Sequence, residues 1–394
     1  MRVLMLTYEV AGRGGSYIRA FSLARGLASL GHAVTLLAAP RRVGLTIREH
    51  TRDGVRVVEL ADLLPYRLRH GGLSPLELAA RLRFVKHVQA DVVHAFGHRL
   101  TVSATARACQ RAGMHVIGDW ADLWGLEGIG GLRGWAARNS LGRLDERWER
   151  LTYPRYHGLT TINSDLKRRA ESFGIPRDHI KVIPVGADPE TIRPLPQNEM
   201  RKRLGLPLDR PIVMHVGLST YDAALLGRCF AEVAGQHPEA LFVLVGRPMR
   251  AVREAMRAAG HADRLIEMGF VPYENMGAYL ACGDVMVLPY SDRSVNRGRT
   301  PNKVGDYMAA ARPVVTNPTG DMRRLVEEAG IGLLAEESPL AMAAAVLTLL
   351  RDPALRERLG KQARSAAEQR YSWRSLSERL ADFYVASRGW RVQA

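Results

Sequence analysis

Cysteine is scarce. The chain has three, Cys109, Cys229 and Cys282. Their spacing fits no zinc or redox motif, and an odd number argues against a disulfide framework. A reducing cytoplasm is the expected compartment. Long apolar runs are also lacking: no stretch approaches the ~20 residues of a membrane span. The N-terminal apolar segment ends at Glu9 and reads as a buried strand rather than a signal peptide. Lysine is rare as well; of 56 basic residues six are lysines, so arginine supplies nearly all of a net charge of +16. That charge is spread along the chain without a run long enough for a nucleic-acid arm, so nucleic acid is not an expected partner. An anionic substrate or an anionic membrane face remains. Neither GxGxxG, HExxH nor Asp-x-Asp occurs, which leaves no dinucleotide fingerprint, zinc protease motif or metal-bound diphosphate motif. No metal is expected.

The 394 residues, 46% hydrophobic and 24% charged, have the balance of a folded α/β protein with two or three domains. Residues 3–7 read as a buried parallel strand, followed by a turn with Gly12, Gly14 and Gly15. A helical pattern spans 16–30, Gly31 stands at its C-terminal end, and 32–37 form the next strand. The alternation goes on with strands at 55–60, 91–94, 115–117, 158–162 and 181–184, and Asn163 and Ser164 can cap the helix 165–173. Residues 184–196, rich in Pro and polar residues, read as a linker. A second α/β unit restarts with strands at 212–216, 241–245, 285–288, 314–315 and 332–334. The expected architecture is two Rossmann-like domains, 1–190 and 195–370, with a cleft between facing strand ends and a C-terminal helix, 371–394. Open α/β sheets place ligands at the carboxyl ends of their strands.

Two segments carry most of the chemistry. Gly14 and Gly15 let backbone N–H groups approach a phosphate at the start of the following helix; a tight turn without a ligand is the alternative. From Arg297 to Val315, Thr300 can cap a helix that starts at Pro301, and Arg297, Arg299 and Lys303 beside its free N–H groups suit a diphosphate. Asp306, one turn on, can accept hydrogen bonds from ribose hydroxyls. His94 and His98 are spaced like metal ligands but leave a strand, which argues against zinc. Trp135, Arg138, Leu141, Leu144, Arg147, Trp148 and Leu151 form a basic, aromatic helical stripe. Core packing with snorkelling arginines is favoured over a seat on an anionic membrane.

Several segments, in order, resemble the family 4 retaining glycosyltransferases. They are 1–37 with Gly14-Gly15 and Gly31-His32-Ala33-Val34, Asp91-Val92-Val93-His94, Ile162-Asn163-Ser164, and Ile183-Pro184-Val185-Gly186-Ala187-Asp188. Val243-Leu244-Val245-Gly246, Gly269-Phe270-Val271, 279–289 and 301–315 follow. The resemblance spans nearly the whole chain. It implies a GT-B fold, acceptor bound mainly by the first domain, nucleotide-sugar donor mainly by the second, and a C-terminal helix crossing back to the first.

The chain departs from the family pattern at three places. Of two Glu seven residues apart in the donor helix, the first falls on Gly298 and the second on Asp306. The Arg and Lys that usually follow the first strand of the second domain are missing from Gly217-Leu218-Ser219-Thr220-Tyr221-Asp222, and Arg247 and Lys303 are the expected substitutes. A His that usually follows the strand 115–117 is replaced by Gly118-Asp119-Trp120-Ala121-Asp122, so Asp119 and Asp122 are expected to contact sugar hydroxyls. The resulting site has Asp119, Asp122 and Lys303 as catalytic residues. Gly14, Gly15, Gly217, Arg247, Phe270, Val271, Arg299, Thr300, Pro301, Asn302, Lys303 and Asp306 bind the donor. Transfer to an unknown acceptor hydroxyl without metal or cofactor is the expected activity. A non-catalytic nucleotide-sugar or glycan-binding protein on the same scaffold is the alternative.

Overall fold

The computed structural model describes residues 1–65, 71–132, 134–135, 138–217 and 221–390. It divides into two compact units: Met1–Pro184 together with the chain from Trp373 onward, and Val185–Ser372.

The first unit is built on an eight-stranded sheet. Its strands are β1 (Arg2–Val10), β2 (Ala33–Ala39), β3 (Arg48–Arg52), β4 (Val55–Glu59), β5 (Val92–Phe96), β6 (His115–Trp120), β7 (Gly158–Thr161) and β8 (Ile180–Val182), in the order β3-β4-β2-β1-β5-β6-β7-β8. All neighbours are parallel except β3 and β4. The central strands are near-continuous runs of Val, Leu, Ile and Met because helices cover both faces. β3 is different. Its sequence Arg-Glu-His-Thr-Arg is polar, and it lies at the sheet edge, where a charged strand discourages pairing with another chain. Asp53 and Gly54 join it to β4 with φ of 50° and 78°, the positive pair that a two-residue hairpin turn requires.

The helix Gly15–Ser29 packs on this sheet and on the helix Trp373–Ser387. Trp373, Leu376, Leu380, Phe383 and Tyr384 are buried in the same core as Leu23 and Leu27. Polar contacts fix the register of that packing. Ser377 Oγ donates to the Leu23 carbonyl at 3.0 Å, the Arg379 guanidinium to the Val182 carbonyl at 3.1 Å, and the Tyr384 hydroxyl meets His94 Nδ1 at 2.6 Å.

The second unit has six parallel strands, β9 (Ile212–Val216), β10 (Leu241–Val245), β11 (Leu265–Gly269), β12 (Val285–Leu288), β13 (Val314–Thr316) and β14 (Gly332–Leu334), in the order β11-β10-β9-β12-β13-β14. The order reverses direction at β9, the switch point where open sheets bind ligands beyond the strand ends. Residues 185–196, expected as a linker, are built into this unit. Ile192 is buried in its core, Asp188 accepts from the Thr191 N–H and hydroxyl at 3.1 and 3.0 Å, and Arg364 donates to the carbonyls of Pro189 and Ile192. Proline and polar residues mark a turn here, and two of its carbonyls are claimed by one half-buried guanidinium, that of Arg364.

Candidate active site

The carboxyl ends of β9, β10, β11 and β12 converge on the segment 297–309. Gly217 ends β9 with φ 77° and Gly246 ends β10 with φ 125°. A Cβ on Gly246 would stand 3.2 Å from the Gly217 Cα, and one on Gly217 would stand 3.5 Å from Lys303 Nζ. The two glycines therefore bring two strand ends and an ammonium into close range.

Lys303 opens the helix Lys303–Ala309. Its Nζ lies 3.3 Å from Nε2 of His215, a histidine buried in β9. Nδ1 of that ring is 2.7 Å from the Val287 carbonyl, which can only accept. Burial and the nearby Lys303 charge hold the His215 pKa well below its ordinary value, so the ring is neutral, with Nδ1 protonated and Nε2 free to accept from Lys303. Lys303 itself is crowded by protein. Burial, with Arg299 beside it, brings its pKa down to about 7.

Asp306 lies one turn along the same helix. Burial pushes its pKa up to about 7, opposed by a hydrogen bond from the Tyr273 hydroxyl at 2.9 Å. Two groups of opposite sign on one helical turn thus both titrate near neutrality, an arrangement that concentrates at functional sites. Arg299 donates to Asn296 Oδ1 at 2.7 Å and lies over the Tyr221 ring at 4.9 Å. Asn296 in turn donates to Asp222 at 3.1 Å, so the loop is anchored through buried side chains. Arg247 is exposed in the bend after Gly246. Phe270 is 85% exposed beside the buried Val271. An aromatic ring this open at a strand end offers a platform for a planar group.

Three expectations change. Thr300 does not cap the helix. Asn302 holds the cap position without a side-chain bond, Pro301 precedes the helix, and Thr300 Oγ1 is buried without a partner among the described residues. The Gly14-Gly15 turn does not present its helix N-terminus to a phosphate. Glu9 already occupies it, accepting from the Tyr17 N–H at 3.0 Å, and a Cβ on Gly14 would stand 2.1 Å from its carboxylate. Glycine with φ 88° is required there to make room for the chain's own carboxyl group.

The third change concerns Asp119, which does not face a ligand. It is 1% exposed, and both oxygens are taken by Arg19 at 2.9–3.2 Å, with Thr160 donating at 2.7 Å. Arg19 also donates to the carbonyls of Ile183 and Pro184, so the pair ties β6 to the chain leaving β8. Asp122 is half-buried, and its charge raises the pKa of Glu9. Burial is the larger cause there, and together they lift Glu9 to about 7. Leu218, Ser219 and Thr220 lie outside the described residues, as does the side chain of Arg138.

His94 and His98 are core histidines. His94 sits between the hydroxyls of Tyr384 and Thr160, and His98 among the rings of Trp124, Trp148 and Tyr153. Among the described residues, no three His, Cys, Asp or Glu stand together as a metal cluster. The stripe around Leu144 does not pack into the core as favoured. Trp135 is 82% exposed, and Leu141, Leu144 and Leu151 are 51%, 53% and 45% exposed. The inner face of the helix Arg143–Thr152 is instead polar, with Asp145 and Glu149 buried.

Sequence alone gives no sign of Glu9, Arg19 or Tyr273 at these positions. His215, a lone imidazole inside Ile-Val-Met-His-Val, is the one that carries a signal, since a ring buried in an apolar strand must find partners.

Two parallel-sheet Rossmann-like units with a charged site beyond the strand ends of the second define the GT-B class. Residues 14–186 match the family described as glycosyl transferase 4-like domain, and residues 210–352 match glycosyl transferases group 1. The chain belongs to this glycosyltransferase family. It is 29% identical over 194 residues to an alpha-D-kanosaminyltransferase of Streptomyces kanamyceticus, covering 47% of this chain and 48% of that one. It is 30% identical over 229 residues to a D-inositol 3-phosphate glycosyltransferase of Xylanimonas cellulosilytica, covering 54% and 52%. The chain thus spans about half the length of these two relatives. Anabaena HepE, solved in complex with UDP, has the same fold at a TM-score of 0.74 and 17% identity, covering 98% of this chain and 100% of HepE. No helix among the described residues is long and apolar enough to cross a membrane.

Proposed function

We propose that the protein transfers a sugar from a nucleoside-diphosphate sugar to an acceptor hydroxyl with retention of configuration, in the cytoplasm and without a metal. The observation that carries this reading is the pairing of Lys303 and Asp306 on one helical turn beside Gly217 and Gly246. The diphosphate lies against Lys303 and the glycine turns, with Arg299, Arg247, Pro301 and Asn302 around it. Asp306 receives the ribose hydroxyls, and the base rests near Phe270 and Val271. Lys303 is the group that stabilises charge on the departing diphosphate, because a cation in a crowded, poorly solvated site is worth more than in water. A donor phosphate oxygen takes the acceptor proton on the same face, so no protein nucleophile is required.

The relatives' names point to cyclic, polyhydroxylated sugar chemistry, and HepE was solved with UDP, which makes UDP-sugars the first donors to assay. The exposed Trp135, Leu141, Leu144 and Leu151 beside Arg143, Arg147 and Arg150 support a peripheral seat on an anionic membrane. The test is calorimetric titration with UDP and with other nucleoside diphosphates, followed by product analysis with the matching donor. Binding with release of free or transferred sugar is expected. Binding without turnover of any donor would leave the non-catalytic reading in its place.

A further inference from the structure

At the opposite ends of the same strands, the second unit contains a cavity of about 530 Å³, bordered by Asp284 just before β12, by Ala311, Arg312 and Pro313 just before β13, and by the helix Pro353–Gln369. That size lies within the range of small-molecule sites, roughly 300–1,000 Å³. We propose that it is a second anion site in which Arg312 and Arg356 hold the phosphate group of a small molecule, separate from the donor site.

The charge around the cavity carries the argument. Three carboxylates border it and each has its own cation or donor. Asp284 is held by Arg201 at 2.7 Å and Gln197 at 3.1 Å, Glu357 by Lys361 at 2.5 Å, and Glu368 by Arg364 at 2.6 Å. Arg312 and Arg356 are left over. Neither forms an ion pair among the described residues. Arg312 donates to the Ala281 carbonyl at 2.7 Å while its Nε is buried without a partner. Arg356 donates through one terminal nitrogen to the carbonyls of Leu349 and Leu350 at 2.7 and 2.8 Å. Burial holds the Arg312 pKa below its ordinary value; the Asp284 carboxylate opposes that shift, and the Arg201 and Arg356 guanidiniums reinforce it. Two half-buried guanidiniums that repel each other border a common space. A phosphate dianion satisfies both, since a guanidinium presents its N–H groups as a fork matched to phosphate oxygens. The room beyond the two arginines admits the organic part of a phosphate ester.

The chain is fixed around this cavity. Ala311 has φ 55°, a left-handed conformation costly for a residue with a Cβ, and its carbonyl stands against Gly360, where a Cβ would approach to 2.4 Å. Arg312 is thereby held at the cavity wall by backbone geometry.

The test is calorimetric titration of the full chain with inorganic phosphate and with glycerol 3-phosphate, in the wild type, in Lys303→Ala to disable the donor site, and in Arg312→Gln and Arg356→Gln. One anion bound equally by the wild type and Lys303→Ala is expected, with affinity at least tenfold weaker in each arginine variant, the loss of a charge-assisted bond. Tighter binding of the ester than of phosphate supports an organic ligand, and equal binding supports free phosphate; both sustain the site. If Arg312→Gln does not fold, Arg356→Gln reports alone, because its lost bonds are to carbonyls at a helix end. Absence of binding up to 10-millimolar order (roughly −2.7 kcal/mol of affinity), or binding that survives both arginine changes and disappears in Lys303→Ala, overturns the proposal.

Discussion

Nζ of Lys303 stands 3.3 Å from Nε2 of His215, whose Nδ1 is bound to the Val287 carbonyl at 2.7 Å. The histidine is therefore a neutral acceptor that aims the ammonium, and the ammonium is only partly charged at neutral pH, with a pKa of about 7. A bound diphosphate favours the charged form and draws in a proton. In Asp306→Asn, which removes the second group titrating near 7, nucleoside diphosphate affinity should decline as pH rises from 6 to 8. Calorimetry across that range, in two buffers of different ionisation heat, reads both affinity and proton uptake. A flat profile would remove Lys303 from the diphosphate.

Asp306 and Tyr273 form the second testable pair. Asp306→Ala should weaken nucleotide binding tenfold or more, since a hydrogen bond to a charged group is worth about 1.5–3 kcal/mol. Tyr273→Phe removes the 2.9 Å hydrogen bond that stabilises the ionised Asp306. It should raise the Asp306 pKa further and weaken binding at pH 7 more than at pH 8.5. Competition between a ribonucleotide and its 2′,3′-dideoxy analogue isolates the contact: the wild type should discriminate, and Asp306→Ala should not.

Most strand positions and the existence of the donor helix were legible because both rest on local signals. Apolar runs of strand length alternate with capped helices, and Asn163 accepts from the Leu166 N–H at 2.9 Å as its position suggests. Side-chain partners across the sheet were not legible. Asp119 sits at a strand end, where ligands bind, but nothing in its own segment announces Arg19, 100 residues away. The edge strand Arg48–Arg52 escapes notice because its alternation is almost wholly polar, with no apolar face to mark it. The helix around Leu144 misleads for the opposite reason. Its apolar residues show the periodicity of a core face, while Asp145 and Glu149 take the buried side.

The Asp119–Arg19 pair leads to a different prediction from that for a sugar contact. Asp119→Asn leaves the Arg19 guanidinium buried and uncompensated, and breaking such a pair costs about 3–5 kcal/mol. Denaturant unfolding should show a loss of that order in the first unit, while sugar transfer per folded molecule stays near wild type. A lowered kcat at unchanged stability would return Asp119 to the reaction.

The exposed stripe makes the membrane proposal testable by sedimentation with vesicles. Leu141 and Leu144 are 51% and 53% exposed, so replacing both by Ser should lower the melting temperature only modestly. Binding to vesicles rich in anionic lipid should fall several-fold, and the remaining binding should be salt-sensitive because the arginines persist. Equal binding of the variant and wild type would leave only non-specific charge attraction.

Glu9 provides a pH test inside the first unit. Its folded-state pKa is about 7, raised first by burial and then by Asp122, against about 4.3 in an unfolded chain. A carboxyl that holds its proton more tightly when folded contributes stability at low pH. That contribution falls as pH rises from about 4.3 to 7 and is absent above the folded pKa. The carboxylate oxygen that accepts the Tyr17 N–H offsets only part of the cost. Glu9→Gln keeps an acceptor at the start of the helix Gly15–Ser29 without carrying a charge. Relative to the wild type, the variant should therefore gain stability steadily between pH 5 and 8, and at pH 8 it should be the more stable protein. Urea unfolding at several pH values, followed by a probe in the first unit, measures the difference directly. A difference that does not change with pH would mean that Glu9 is ionised throughout and that the start of the helix holds a full negative charge.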